Sequence, residues 1–120
     1  MMQQRDADGV VVYEVNLAID SDVAEAFAAW LAPHIEEMLQ LEGFDSATWF
    51  ELEGGAQGGR VAWRVQYTVK DRATLQRYFD VDAPRMRGDG IKRFSGRFDA
   101  TRHILRIHPH TVAARGAKKA

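Results

Sequence analysis

Between Arg60 and Lys70, apolar and polar residues take strict turns. Val61, Trp63, Val65, Tyr67 and Val69 hold the odd positions; Ala62, Arg64, Gln66 and Thr68 hold the even ones. Successive side chains of an extended chain point to opposite faces, so this pattern fits a strand with one face on a core and the other face elsewhere. Val10 to Ile19 repeats it. Val11, Tyr13, Val15, Leu17 and Ile19 are apolar, while Glu14 and Asn16 fall on the other face.

The segments around these two strands fill in the order. Asp20-Ser21-Asp22 offers side-chain acceptors and acids for a helix start. The helix that follows carries Val23, Phe27, Trp30, Leu31, Ile35, Met38 and Leu39 as one apolar stripe. Pro33 removes a backbone donor, which predicts a kink near Ala29 to Pro33, and Gly43 ends the helix as a left-handed cap. Phe44 to Glu53 reads as a second strand, with Phe44, Phe50 and Leu52 on one face and Trp49 and Glu51 on the other. Gly54, Gly55, Gly58 and Gly59 make a hairpin loop. It is no phosphate cradle, since no Lys-Ser/Thr pair follows and no helix begins there.

Asp71 caps a second helix with Leu75, Tyr78 and Phe79 inward. This helix is expected to break near Asp82-Ala83-Pro84, resume briefly, and stop at Gly88 and Gly90. Phe98 to Ile107 is a last strand. Arg102, His103 and Arg106 interrupt its alternation, the mark of an edge or a bulge. Residues 1–9 read as a disordered leader, 10–107 as a single domain and 108–120 as a disordered basic tail.

The order is βαββαβ. Right-handed crossovers put both helices on one face of a four-stranded antiparallel sheet, the α+β ferredoxin-like arrangement, with the first and third strands central. The open face would then carry Val12, Glu14, Asn16, Trp49, Glu51, Arg64, Gln66 and Thr68. A large apolar group among polar ones suits burial by a partner, so two sheets stacking as a dimeric α/β barrel is the expected assembly, a homodimer through the open face. A monomer with a wet face is the alternative.

Four blocks carry a family resemblance. They are Tyr13-Glu14-Val15-Asn16; Trp30…His34-Ile35…Met38-Leu39…Gly43-Phe44; Val65-Gln66-Tyr67; and Ala83-Pro84-Arg85-Met86-Arg87…Gly90…Arg93-Phe94…Phe98…Arg102. In that order they resemble a bacterial family called domain of unknown function 4286. The resemblance spans most of residues 10–107. It implies a ferredoxin-like fold of the dimeric-barrel type and brings no chemistry. The wider group with that fold includes small monooxygenases, isomerases, haem-degrading proteins and ligand-sensing domains, and a shared fold does not choose among them.

Composition removes several classes of function. With 16 basic and 17 acidic residues the net charge is −1, which argues against a nucleic-acid or anionic-membrane binder. The absence of cysteine excludes disulfides, thiolate catalysis and cysteine-held zinc or iron–sulfur centres. Met1 to Gly9 is polar and no apolar run nears the ~18 residues of a membrane span, so a cytoplasmic location is expected.

Candidate chemistry is sparse. Glu14, Asn16, Arg64 and Gln66 should cluster at the centre of the open face beside Trp49, with Glu14 and Arg64 as an ion pair and the amides available for recognition. The plainer reading is a polar network inside a dimer interface. His34, near the expected kink, is a candidate base or haem or metal ligand, and a core-boundary residue on the plainer reading. His103 faces either the cavity or solvent. His108 and His110 supply two ligands where a metal needs three or four. Glu36 and Glu37 are adjacent on a helix and diverge. Arg85, Arg87, Lys92, Arg93 and Arg97 form a basic run balanced by Asp80, Asp82 and Asp89, which reads as a solvated face. Ser46 and Ser95 have no telling histidine. No cofactor and no metal are implied. The leading reading is a non-catalytic homodimer that binds a small molecule or acts as an interaction module. The alternative is a cofactor-independent oxygenase or isomerase of the dimeric-barrel type, and a haem-handling protein is a third.

Overall fold

A computed structural model describes residues 9–112. Most of the leader and the end of the basic tail, residues 1–8 and 113–120, lie outside the described residues. Four strands form one antiparallel sheet: β1 (Val11–Ile19), β2 (Phe44–Glu51), β3 (Val61–Val69) and β4 (Phe98–Arg106), in the order β2-β3-β1-β4. The two most regularly alternating strands are therefore central, and they pair over their whole length, from Val11 opposite Val69 to Ile19 opposite Val61.

Helix α1 (Ala24–Met38) follows a 3-10 turn at Ser21–Val23. Asp20 does not cap it with its side chain. Its carboxylate instead binds Arg60 at 3.1 Å and Arg97 at 2.8 Å, tying the end of β1 to the segments that enter β3 and β4. The helix runs unbroken through Pro33. It stops at Met38, and Gly43 takes φ +85° only five residues later, at the entry to β2. A Cβ on Gly43 would sit 2.6 Å from Thr74 Cγ2, so close approach as well as the left-handed backbone demands glycine there.

The second helical segment also differs from expectation. Helix α2 (Arg72–Arg77), capped by the Asp71 side chain on the Thr74 N–H at 2.8 Å, passes into a π turn at Tyr78–Asp82 and then into α3 (Ala83–Phe94). The chain widens here and does not break. Pro84 sits in the first turn of α3, where its missing N–H costs nothing. Gly88 and Gly90 lie inside α3 and end nothing. At Gly90 the reason is contact: an added Cβ would meet the Trp30 ring at 2.7 Å.

The bulge falls on β2, between Phe44 and Ser46, while β4 pairs regularly with β1 as an edge strand. The extra residue reverses the alternation of β2. Beyond it Trp49 pairs with Val65 and so lies on the helix-covered face, edge-on to Trp63 at 5.0 Å. Phe50, opposite Arg64, takes the open face, contrary to the faces expected from simple alternation.

The core lies between the sheet and the helices. Phe27 of α1, 1% exposed, is ringed by Trp30, Trp63, Phe94 and Phe98 at centroid distances of 4.8 to 6.3 Å. Tyr13 of β1, also 1% exposed, packs with Tyr67, Tyr78 and Phe79.

Candidate functional site

Inside this core, between the two aromatic groups, a cavity of about 60 Å3 remains. At roughly 30 Å3 per water molecule it has room for a carboxylate-sized group. Its polar lining comes from all layers. Tyr13 and Tyr67 are directly opposite each other on β1 and β3. Tyr78 is delivered by the π turn, a distortion often found where a helix aims a side chain at a site. Arg87 of α3 and Arg102 of β4 complete the lining, with His34 of α1 at one side.

Arg87 Nη2 donates to the Tyr13 hydroxyl at 3.0 Å. Its Nε is buried and has no partner. Among the described residues the charged side chains lining the cavity are the two arginines, and no carboxylate lines it. Burial holds the Tyr67 phenol neutral far above its usual range and pushes Tyr78 up to about 12, against the pull of the nearby Arg87 and Arg102.

His34 stacks on Trp30 at 4.6 Å, with the rings 21° apart. Burial lowers its pKa, opposed by Glu37 and Asp89. The stacked pair lines both the inner cavity and an outer groove of about 410 Å3 between α1 and α3. Trp30 is fixed from outside by its indole N–H, which donates to Asp89 at 2.8 Å.

The open face holds the remaining candidates. Glu14, 9% exposed, accepts from Gln66 Nε2 at 2.9 Å and Asn16 Nδ2 at 3.1 Å, and His103 Nδ1 stands 3.5 Å from it. The Gln66 hydrogen bond, followed by that of Asn16, outweighs burial and keeps the Glu14 carboxyl below its ordinary range. The expected Glu14–Arg64 ion pair does not form, because the register sets Glu14 opposite Gln66 and Arg64 opposite Asn16. Asn16 Oδ1 is buried without a partner. Trp49 belongs to the other face.

The basic run on and just after α3 divides. Arg85 pairs with Asp82 and Glu37, Arg93 with Asp89, and Arg97 with Asp20 and Asp22. Arg87 alone of that run turns into the core. Sequence reasoning missed it, along with Tyr13, Tyr67, Tyr78 and Arg102. The available signals were hydroxyl-bearing rings at two inward strand positions and an arginine at an inward position of β4. His108 and His110 contact each other at 5.1 Å on an exposed segment. Among the described residues no helix is long and apolar enough to cross a membrane.

The model of a family described as domain of unknown function 4286 (DUF4286) matches residues 10–108. No curated protein matches the chain in sequence. Among solved structures, SnoaB from Streptomyces nogalater, described as a cofactor-independent oxygenase, is similar with a TM-score of 0.64 at 10% identity, over 88% of this chain and 99% of that one. A dimeric ferredoxin-like protein from an uncultured marine organism gives 0.61 at 11% identity, over 84% and 99%. An ethyl tert-butyl ether d (ethd) family protein from Bacillus halodurans gives 0.59 at 17%, over 82% and 99%. Identities this low speak for the fold alone.

Proposed function

The chain belongs to the DUF4286 family, and on that premise we propose that it is a small-molecule-binding protein whose ligand occupies the cavity between sheet and helices, and that two copies pair through the open sheet faces. The observation that carries the first part is a pocket that runs from the aromatic core to the surface beside Ile91, mostly apolar but holding three phenol and two guanidinium groups. Protein interiors pack to crystal density and bury polar atoms with partners; a lined void with an unpartnered Arg87 Nε departs from both rules at one place.

The test is nuclear magnetic resonance with a neutral aromatic probe, benzamide. Binding in the cavity shifts the ring signals of Tyr13, Tyr67 and Tyr78. Shifts confined to open-face residues, or none with this probe or with benzoate at millimolar concentration, would sink the reading.

The dimer is supported by the open face itself. Phe50 is 45% and Leu105 38% exposed there, flanking the Glu14, Asn16, Gln66 and His103 network. In this reading that network sits in the contact, with Arg64 at its edge. One structural neighbour is described as dimeric. Sedimentation should give twice 13.5 kDa, and Phe50→Glu with Leu105→Glu should give the monomer; a wild-type monomer refutes the assembly.

A second reading is catalytic. His34, held toward its neutral form beside the cavity, suits a base acting on a hydroxylated aromatic compound, and one neighbour is described as a cofactor-independent oxygenase. Oxygen uptake with such compounds, abolished in His34→Ala, would favour it.

A further inference from the structure

We infer that the cavity is built for an anion: a carboxylate or phenolate head group carried on an apolar body. The inference rests on the binding role proposed for the same cavity and adds the charge of its ligand.

Two guanidinium groups, Arg87 and Arg102, line one cavity of about 60 Å3, and among the described residues no carboxylate lines it with them. Among the described residues Arg64, Arg72 and Arg106 also lack an ion pair, but the arginines nearest Arg87 in sequence are matched. Arg85, Arg93 and Arg97 each hold an aspartate, and Arg60 holds two. Arg87 and Arg102 make no ion pair among the described residues. Arg87 is half-buried, and a buried N–H such as its Nε normally finds an acceptor. Its acceptors are phenols, the Tyr13 hydroxyl for Nη2 with Tyr78 beside it, neutral partners that leave Nε without one. A guanidinium presents its two Nη groups as a fork that can take a carboxylate with two parallel hydrogen bonds.

The remaining surroundings describe the rest of the ligand. Tyr13, Tyr67 and Tyr78 offer hydroxyls that can donate to an anion, and burial keeps Tyr67 and Tyr78 protonated. The cavity is too small for more than a head group. Ile91 lies at its rim, 55% exposed, where the apolar body of a ligand would cover it. Arg102, on an exposed edge strand, stands where an incoming anion meets it first.

The experiment is titration calorimetry of the full chain with benzoate and with benzamide, which share shape and differ in charge. Benzoate is expected to bind at least tenfold more tightly than benzamide, in 50 mM salt. Arg87→Gln and, separately, Arg102→Gln should reduce that ratio toward one while benzamide binding persists. Equal affinities of the wild type for the two probes would overturn the anion assignment and leave the binding cavity standing. Binding of neither would overturn both. Since Arg87→Gln removes a buried hydrogen bond, its fold is verified by circular dichroism. The exposed Arg102→Gln supplies the same test independently, and an undiminished benzoate preference in it would count against the shared site.

Discussion

Two glycines two residues apart in α3 should respond to the same substitution with opposite signs. An added Cβ on Gly88 meets nothing within 4 Å, so Gly88→Ala should gain the helix propensity of alanine, about 0.5–1 kcal/mol. At Gly90 the Cβ would stand 2.7, 3.0 and 3.2 Å from three atoms of the Trp30 six-membered ring. That ring has little freedom to retreat. It lies edge-on to Phe27 at 5.5 Å, stacks on His34 at 4.6 Å and is tethered to Asp89 at 2.8 Å. Forcing a methyl group into such packing costs about 1–3 kcal/mol, against a propensity gain of about 1. The net is a loss of about 1 kcal/mol. At about 4 °C per kcal/mol for a domain of this size, the two variants should melt some 6–8 °C apart, on either side of the wild type. Thermal unfolding followed by circular dichroism measures this directly. In a Trp30→Phe background the penalty at Gly90 should vanish, a coupling of about 1–2 kcal/mol. A Gly90→Ala protein as stable as Gly88→Ala would refute the claim that the indole occupies the place of the missing side chain.

Tyr13→Phe deletes the acceptor of Arg87 Nη2 and should lower stability by about 1 kcal/mol, the net worth of a part-buried hydrogen bond; urea denaturation reads it, and a neutral result would mean that water or Tyr78 serves Arg87 equally well. Phe27→Ala empties the centre of the aromatic cluster and should cost about 3–5 kcal/mol in the same assay. Acidification should destabilise in two stages. The folded pKa of His34 is below its ordinary 6.5, so the unfolded chain binds more protons, and stability falls as pH drops from 6.5 through the folded value; His34→Gln should flatten that stage. Glu14 is likewise below its ordinary 4.5, so its contribution is present above that value and fades at lower pH, a stage absent in Glu14→Gln. On the alkaline side Tyr78, raised from 10 to about 12, should weaken the fold as pH climbs through that interval, and Tyr78→Phe should lessen the decline.

The parts of the fold that were legible in the sequence are those governed by local periodicity. β1 and β3 alternate without a break, so their faces, their central position and the ferredoxin-like order followed from side-chain direction alone. The Asp71 cap was legible for the same reason, since its bond closes within three residues. The misreadings share a different cause. Whether Gly90 stops a helix depends on Trp30, 60 residues away. Whether Pro84 breaks one depends on the π turn that precedes it. The face of Trp49 depends on one residue that the sheet leaves unpaired. The cavity was hidden in the same way: Tyr13, Tyr67 and Tyr78 looked like ordinary inward residues, and Arg87 looked like one more charge on a solvated helix. Only the packing of β1, β3, α3 and β4 shows that their polar atoms meet.

The unpaired residue near the start of β2 acts on that strand as a reading frame acts on a message. Everything downstream is decoded relative to it, and the strand carries an aromatic residue in either phase, Trp49 in one and Phe50 in the other. Deletion of Asp45 therefore restores a plain frame: Ser46 stays opposite Thr68 and Trp49 opposite Val65, the bulge closes, and both rings keep their faces. Among relatives shorter by a single residue at this point, the same ring should face inward from an unbulged strand, so that the gap in an alignment by letters marks the unpaired residue.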